Sequence, residues 1–146
     1  MRGWDFTDTD RRDYCLVDCT ISDNDPSDEF GHGTHCAGIA AGVGNNAKGI
    51  IGTCPNCKIM PLRVAGLDAA TITQAINYAV DNGAKVISMS FGGERSLLME
   101  DAINYAYDRG LILIWHQEKQ KQYLWIMWQI LALFALKTQK FRISVR

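Results

Sequence analysis

The sequence predicts an α/β protein, a three-layer parallel sheet with flanking helices, and three observations predict it. Apolar or β-branched runs of strand length recur at "KIMPLRV" (58–64), "AKVISMSF" (84–91) and "LILI" (111–114). Two amphipathic stretches of helix length, from residue 71 and from residue 96, lie between them. The links are short and glycine-rich, so strands that alternate with helices must run parallel through right-handed crossovers.

The elements follow in order. Residues 5–29 are polar and end in "SDNDPSDE", with four carboxylates in eight residues. The central glycine of a calcium loop is missing there, so a solvated loop is expected. From Thr34 to Ala41 small, mostly apolar residues predict a helix packed close to its neighbours, and "GVGNNAKGIIG" (42–52) a turn-rich connection. After the strand at 58–64, Ile72, Ala75, Ile76, Ala79 and Val80 share one helical face. Thr71 with Gln74 can form a capping box, and Gly83 can end the helix.

The run 84–91 has the apolar, β-branched look of a strand buried on both faces. A second helix, 96–109, should turn Leu98, Ala102, Tyr105 and Ala106 inward and close at Gly110. Sites in such sheets form beyond the carboxyl ends of the strands. Gly92 and Gly93, just past a central strand, would let a ligand's backbone come close.

The chain has 146 residues, one domain's worth, with ordinary apolar content of 47% and charge of 21%, so it is no disordered polymer. Its net charge of −1 conceals a break. Residues 1–114 hold nine Lys/Arg against fifteen Asp/Glu, and residues 115–146 six against one. Every glycine, proline, cysteine and aspartate lies at or before Gly110, whereas three of four tryptophans lie beyond it. The organisation expected is therefore a coherent body, 1–114, and an unrelated basic, aromatic tail, 115–146, of the composition an out-of-frame segment would have. Within the tail, "QYLWIMWQILALFAL" (122–136) falls short of the ~20 apolar residues that span a bilayer. Membrane contact through it is not the expected role. The opening "MRGWDFTDTD" lacks the apolar run of a signal peptide, and five cysteines leave disulfides and free thiols equally open, so compartment stays undetermined.

The chemistry concentrates in "FGHGTHCAGIAAG" (30–42), where His32 opens a helix among glycines. A helix N-terminus disfavours a cation, which keeps an imidazole there ready to accept a proton. Glycines on either side let another chain approach. His32 is thus a candidate general base, weighed against a purely structural histidine.

"GHGTHCAGIAAG", "GIIGTCPNCKIMPLRV" and "AINYAVDNGAKVISMSFGG" stand in the order and spacing of the subtilisin-like serine peptidases. The chain resembles that family from about residue 3 to residue 114, which implies its fold, here incomplete. The resemblance also implies peptide-bond hydrolysis by an Asp-His-Ser triad. It makes His32 the triad base and His35 a structural neighbour. Ser90, Phe91 and Gly92 become the edge that binds an extended polypeptide substrate through its backbone. No nucleic acid is expected as a partner. Cys36 resembles the cysteine of the proteinase K-like branch, buried beneath the base. "CPNC" (54–57) stands in a surface loop, as a disulfide or as paired thiols.

Two triad members do not follow. The family's aspartate, on an apolar strand ending Asp-Thr-Gly or Asp-Ser-Gly, is expected upstream of residue 1. Asp18 imitates that strand but stands only fourteen residues before His32, too few for the intervening strand and loops. Gly-Thr-Ser-Met-Ala, which would carry the nucleophile, occurs nowhere, and Lys119 stands where the oxyanion asparagine belongs. The chain as given is expected to be inactive. A non-catalytic peptide-binding module is one alternative. Another is a metal-binding domain built on Cys15, Cys19, Cys54 and Cys57 with His32 and His35. No cofactor is expected; calcium is common in the family, and the Asn45–Asn46 turn resembles one of its loops, without a complete ligand set.

Overall fold

The computed structural model describes residues 3–7, 22–64, 66–92, 96–115 and 133–137, the last group through its backbone. The elements are β1 (Trp4–Asp5), α1 (His32–Ala41), β2 (Lys58–Arg63), α2 (Ala69–Asp81), β3 (Val86–Met89), α3 (Leu97–Asp108), β4 (Ile112–Trp115) and β5 (Leu133–Lys137). They form the expected α/β protein, with a five-stranded sheet in the order β1-β2-β5-β3-β4. β1 runs parallel to β2 and β3 parallel to β4, the alternation of strands and helices enforcing both.

β5 departs from the expectation of a parallel sheet. It comes from the tail, lies between β2 and β3, and is antiparallel to both. The register sets Ala135 opposite Met60 on one side and Ile87 on the other. Residues 133–136 are therefore extended strand, and the apolar run 122–136 is not one continuous helix. Among the described residues, no helix is long and apolar enough to cross a membrane.

The core lies between the sheet and its helices. The predicted face of α2 is the buried one: Ile72, Ala75, Ile76, Ala79 and Val80 pack with Met60, Leu62, Ile87 and Met89 from the strands. Burying a side chain such as Ile76 completely contributes about 1.5–3 kcal/mol. α3 adds Ala102 and Ala106, with Tyr105 half-buried, but Leu98 is exposed rather than inward. It lies in the first turn of α3, where its carbonyl accepts from the Thr73 hydroxyl of α2 at 3.3 Å while its side chain is exposed. β3 is shorter than expected and alternates between buried and half-buried residues instead of being buried on both faces. Ser90 and Phe91 thus lie outside the strand.

The start of α2 also differs from the capping-box reading. Asp68 is the N-cap and its carboxylate accepts from the Thr71 N–H at 2.9 Å, so Thr71 is the third helical residue. Partial burial works against ionising Asp68, but hydrogen bonds from the Thr71 hydroxyl and N–H outweigh it and lower its pKa. Asp68→Ala should destabilise the fold by about 1 kcal/mol, read as a lower urea midpoint with unchanged slope. At the other end, Gly83 takes the left-handed conformation (φ 78°) that stops the helix, as expected.

Candidate active site

α1 begins at His32, and one carboxylate organises its start. Asp28 accepts from the Phe30 N–H at 3.0 Å and the Gly31 N–H at 2.9 Å. Its other oxygen accepts from the Thr34 N–H and hydroxyl, both at 2.7 Å. Four donors at a helix N-terminus are thereby satisfied by a single side chain. Gly31 between them has φ 89°, and open space surrounds the Cβ it lacks, so its conformation and not its size calls for glycine. Partial burial would raise the Asp28 pKa, but the Thr34, Phe30 and Gly31 hydrogen bonds prevail and hold it at about 2.

The sign of that shift sets a pH window. A depressed carboxyl contributes stability that is full above its ordinary pKa of 3.8 and lost as pH falls through about 2. Asp28→Ala should cost about 1 kcal/mol at neutral pH. The gap between it and the wild type should close between about pH 4 and pH 2, checked by urea denaturation across that range. A gap that stays constant in acid would contradict the assignment.

His32 is half-buried at the first position of α1. Its Nε2 lies 3.6 Å from the Cys36 Sγ, one turn along the helix. Its Nδ1 is buried and has no hydrogen-bond partner among the described residues. Burying an unpaired polar atom costs about 1–3 kcal/mol, so such atoms ask for a functional explanation. Cys36 is half-buried and carries a free thiol beneath the ring. His35 is exposed, outside this arrangement.

The C-terminal end of α1 is locked to the loop after it. Thr53 and Cys54 donate their N–H groups to the carbonyls of Ile39 and Ala40, at 3.0 and 2.8 Å. Gly52 packs so closely that an added Cβ would come within 2.3 Å of the Gly42 nitrogen, which only glycine allows. Cys54 and Cys57 are joined as a disulfide. That corrects the four-thiolate alternative, because two of its sulfurs are committed to each other. Cys15 and Cys19 lie outside the described residues, as do Asp18 and Lys119. Among the described residues no three His, Cys, Asp or Glu side chains gather to hold a metal. In the Asn45–Asn46 turn the Asn46 Oδ1 accepts from the Lys48 N–H at 3.1 Å, which keeps one lone pair of that oxygen for the turn itself.

Sequence reasoning missed a buried ion pair that ties this end of the sheet together. Asp5, fully buried, receives the Arg63 guanidinium at 2.6 Å and the Thr7 N–H at 2.7 Å. Arg63 also reaches Glu29 at 3.4 Å. Arg63 ends β2 and Glu29 stands just ahead of His32, so the start of α1 is anchored at the carboxyl end of the sheet. Desolvation raises the Asp5 pKa, and the Thr7 and Arg63 interactions oppose it without cancelling it. No local pattern marks residues 58 positions apart as partners.

Ser90, Phe91 and Gly92 emerge from β3 at that same carboxyl end. Ser90 and Gly92 are exposed, and Phe91 is half-buried against the core. Among the described residues, nothing lies within 4 Å of the Cβ position of Gly92. His32 and the segment Ser90–Gly92 thus both lie at the carboxyl end of the sheet.

Residues 5–116 match the sequence profile of the Subtilase family. Thermitase of Thermoactinomyces vulgaris is 44% identical over 95 residues, covering 62% of this chain and 29% of thermitase. The thermophilic serine proteinase of Bacillus sp. (strain AK1) is 41% identical over 96 residues, 63% of this chain and 21% of that protein. Subtilisin DY of Bacillus licheniformis is 37% identical over 71 residues, 46% of this chain and 26% of its own length. The chain spans less than a third of these relatives. With the match running from the buried Asp5 to the end of β4 and enclosing His32, the chain belongs to the subtilase family.

Proposed function

We propose that this chain is the base-bearing portion of a serine endopeptidase domain. His32 is the general base, taking the proton of an alcohol nucleophile as that oxygen attacks a peptide carbonyl. Ser90, Phe91 and Gly92 hold the substrate backbone in extended form. The observation that carries this reading is the His32 Nδ1, buried at the start of α1 without a partner among the described residues. A base of this kind needs an acceptor at one ring nitrogen to orient it and a nucleophile at the other, and that nitrogen is free to receive one. The space at Gly92, where no described atom lies within 4 Å of the Cβ position, supports the substrate-binding part. The sequence 1–146 has neither the nucleophile motif nor the oxyanion asparagine, so by itself it is proposed to be inactive.

The test transplants residues 5–114 into thermitase in place of the stretch they match. A chimera that cleaves a peptide substrate, and loses this with His32→Ala, supports the assignment. A folded chimera whose turnover survives His32→Ala overturns it. A chimera that binds extended peptides without cleaving them favours the non-catalytic peptide-binding module.

A further inference from the structure

We propose that Cys54 and Cys57 form a thiol–disulfide exchange site, opened by a small thiol such as glutathione, that sets how firmly the 53–57 loop holds the end of α1. The two cysteines stand three positions apart in Cys-Pro-Asn-Cys and are joined, with 5.3 Å between their α-carbons. Closing so short a loop takes little entropy from the unfolded chain, so stapling the fold explains this bond poorly. Nor does the bond shape the turn by itself. The Cys57 N–H donates to the Cys54 carbonyl at 2.9 Å, and the N–H groups of Gly52, Thr53 and Cys54 donate to the carbonyls of Gly42, Ile39 and Ala40. The backbone can keep the same path with the sulfurs joined or free, which is what a reversible couple needs.

Access and charge suit the reaction. Cys54, Pro55 and Cys57 are half-buried, and Asn56 is exposed. From residue 30 to residue 67 the sequence has no Asp or Glu, yet it includes Lys48 and Lys58. Lys58 follows Cys57 directly and is exposed at the head of β2, where the register sets Lys137 of β5 opposite it. Partly exposed cysteines among cations form thiolates readily, and thiolates are both the attacking and the leaving groups in exchange. One thiolate of the reductant attacks one cysteine sulfur, the S–S bond breaks, and the other cysteine leaves as a thiolate and takes a proton. A second thiolate of the reductant then displaces the attacked cysteine, which is protonated in turn. The reductant departs as its own disulfide, and two electrons and two protons have passed to Cys54 and Cys57. Reduction keeps the fold but removes a covalent restraint between the end of α1 and the head of β2, so the loop opens more often. None of this requires His32 to be catalytic.

The probe is a glutathione buffer applied to the full chain without denaturant, with iodoacetamide quenching and peptide mapping to read each cysteine separately. At a cytosolic ratio of reduced to oxidised glutathione, Cys54 and Cys57 should become alkylated together, and an oxidising ratio should protect both again. In the reduced chain the amides of Thr53, Cys54 and Cys57 should exchange with solvent at least about fivefold faster, while those of α2 keep their protection. A Cys54→Ser/Cys57→Ser variant should show the faster loop exchange and no response to the buffer at these amides. A pair that stays closed until urea unfolds the chain is a structural staple, and the proposal fails. Reduction that strips protection from α2 has the same meaning. A stable mixed disulfide of glutathione with one cysteine shows two independent thiols and overturns the exchange site. Loop amides that do not respond to reduction overturn the link to α1.

Discussion

His32→Ala, made in a thermitase that carries residues 5–114 of this chain, is expected to lower kcat by about 10⁶-fold. That is the loss when a subtilisin loses its base or nucleophile, because the two act as a unit. KM should change little, since in the proposed arrangement Ser90–Gly92, and not the imidazole, hold the ground-state substrate. The same arithmetic governs the unfused chain. Without an alcohol nucleophile it forfeits about 10⁶, and an absent oxyanion donor costs ~10²–10³ in isolation. Purified residues 1–146 should hydrolyse casein no faster than buffer and take no label from a fluorophosphonate. Stoichiometric labelling would mean that a serine of this chain serves as nucleophile, and the proposed inactivity would be wrong.

Arg63→Ala is expected to destabilise the fold by about 3–5 kcal/mol, the cost of stripping one partner from a buried ion pair. Most of that penalty is the Asp5 carboxylate left in the interior, not the worth of the pair itself. Adding Asp5→Asn to Arg63→Ala should therefore recover part of the loss, a non-additivity that a double-mutant cycle in urea reads directly. The pH dependence has a definite sign. Desolvation already raises the Asp5 pKa, and losing the guanidinium raises it further. A raised carboxyl favours the folded state most when protonated, below its ordinary 3.8, and loses that contribution as pH climbs through the folded value. The Arg63→Ala penalty should be greatest near neutrality and shrink in acid. This is opposite to the behaviour expected of Asp28→Ala only in its cause: Asp28 loses hydrogen bonds when protonated, whereas Asp5 sheds an unpaired charge.

The two carboxylates frame His32 from different directions. Asp28 fixes the turn from which His32 starts, and Asp5 with Arg63 and Glu29 fixes where that turn sits relative to the sheet. A defect at Arg63 should reach the imidazole through Glu29, three residues before it in the chain. In the chimera, Arg63→Ala should lower activity and stability together.

Much of this was legible in the residues. The buried face of α2 matches the predicted one residue for residue, because a 3.6-residue period is written into adjacent positions. His32 at the start of α1 followed from a motif whose glycines and small residues are contiguous. The cap of α2 was misplaced by three residues, since Asp68 and Thr71 can each serve and only the helix's actual first turn chooses between them. Asp28 appeared as one of several solvated acids, yet its spacing of six before Thr34 was visible and could have marked it as the organiser of α1.

The sequence by itself determined the three helices and the strands β2, β3 and β4 between and after them, the place of His32 at the head of α1, and which family's pattern surrounds it. All of these rest on interactions spanning a few residues, which leave a periodic or contiguous trace. Tertiary structure alone decided that Asp5 meets Arg63, that β3 stops before Ser90, and that a strand from the tail lies against its neighbours' direction in the middle of the sheet. Those outcomes depend on which distant edges and charges are left unpaired once the chain has packed, and no neighbouring residue records that.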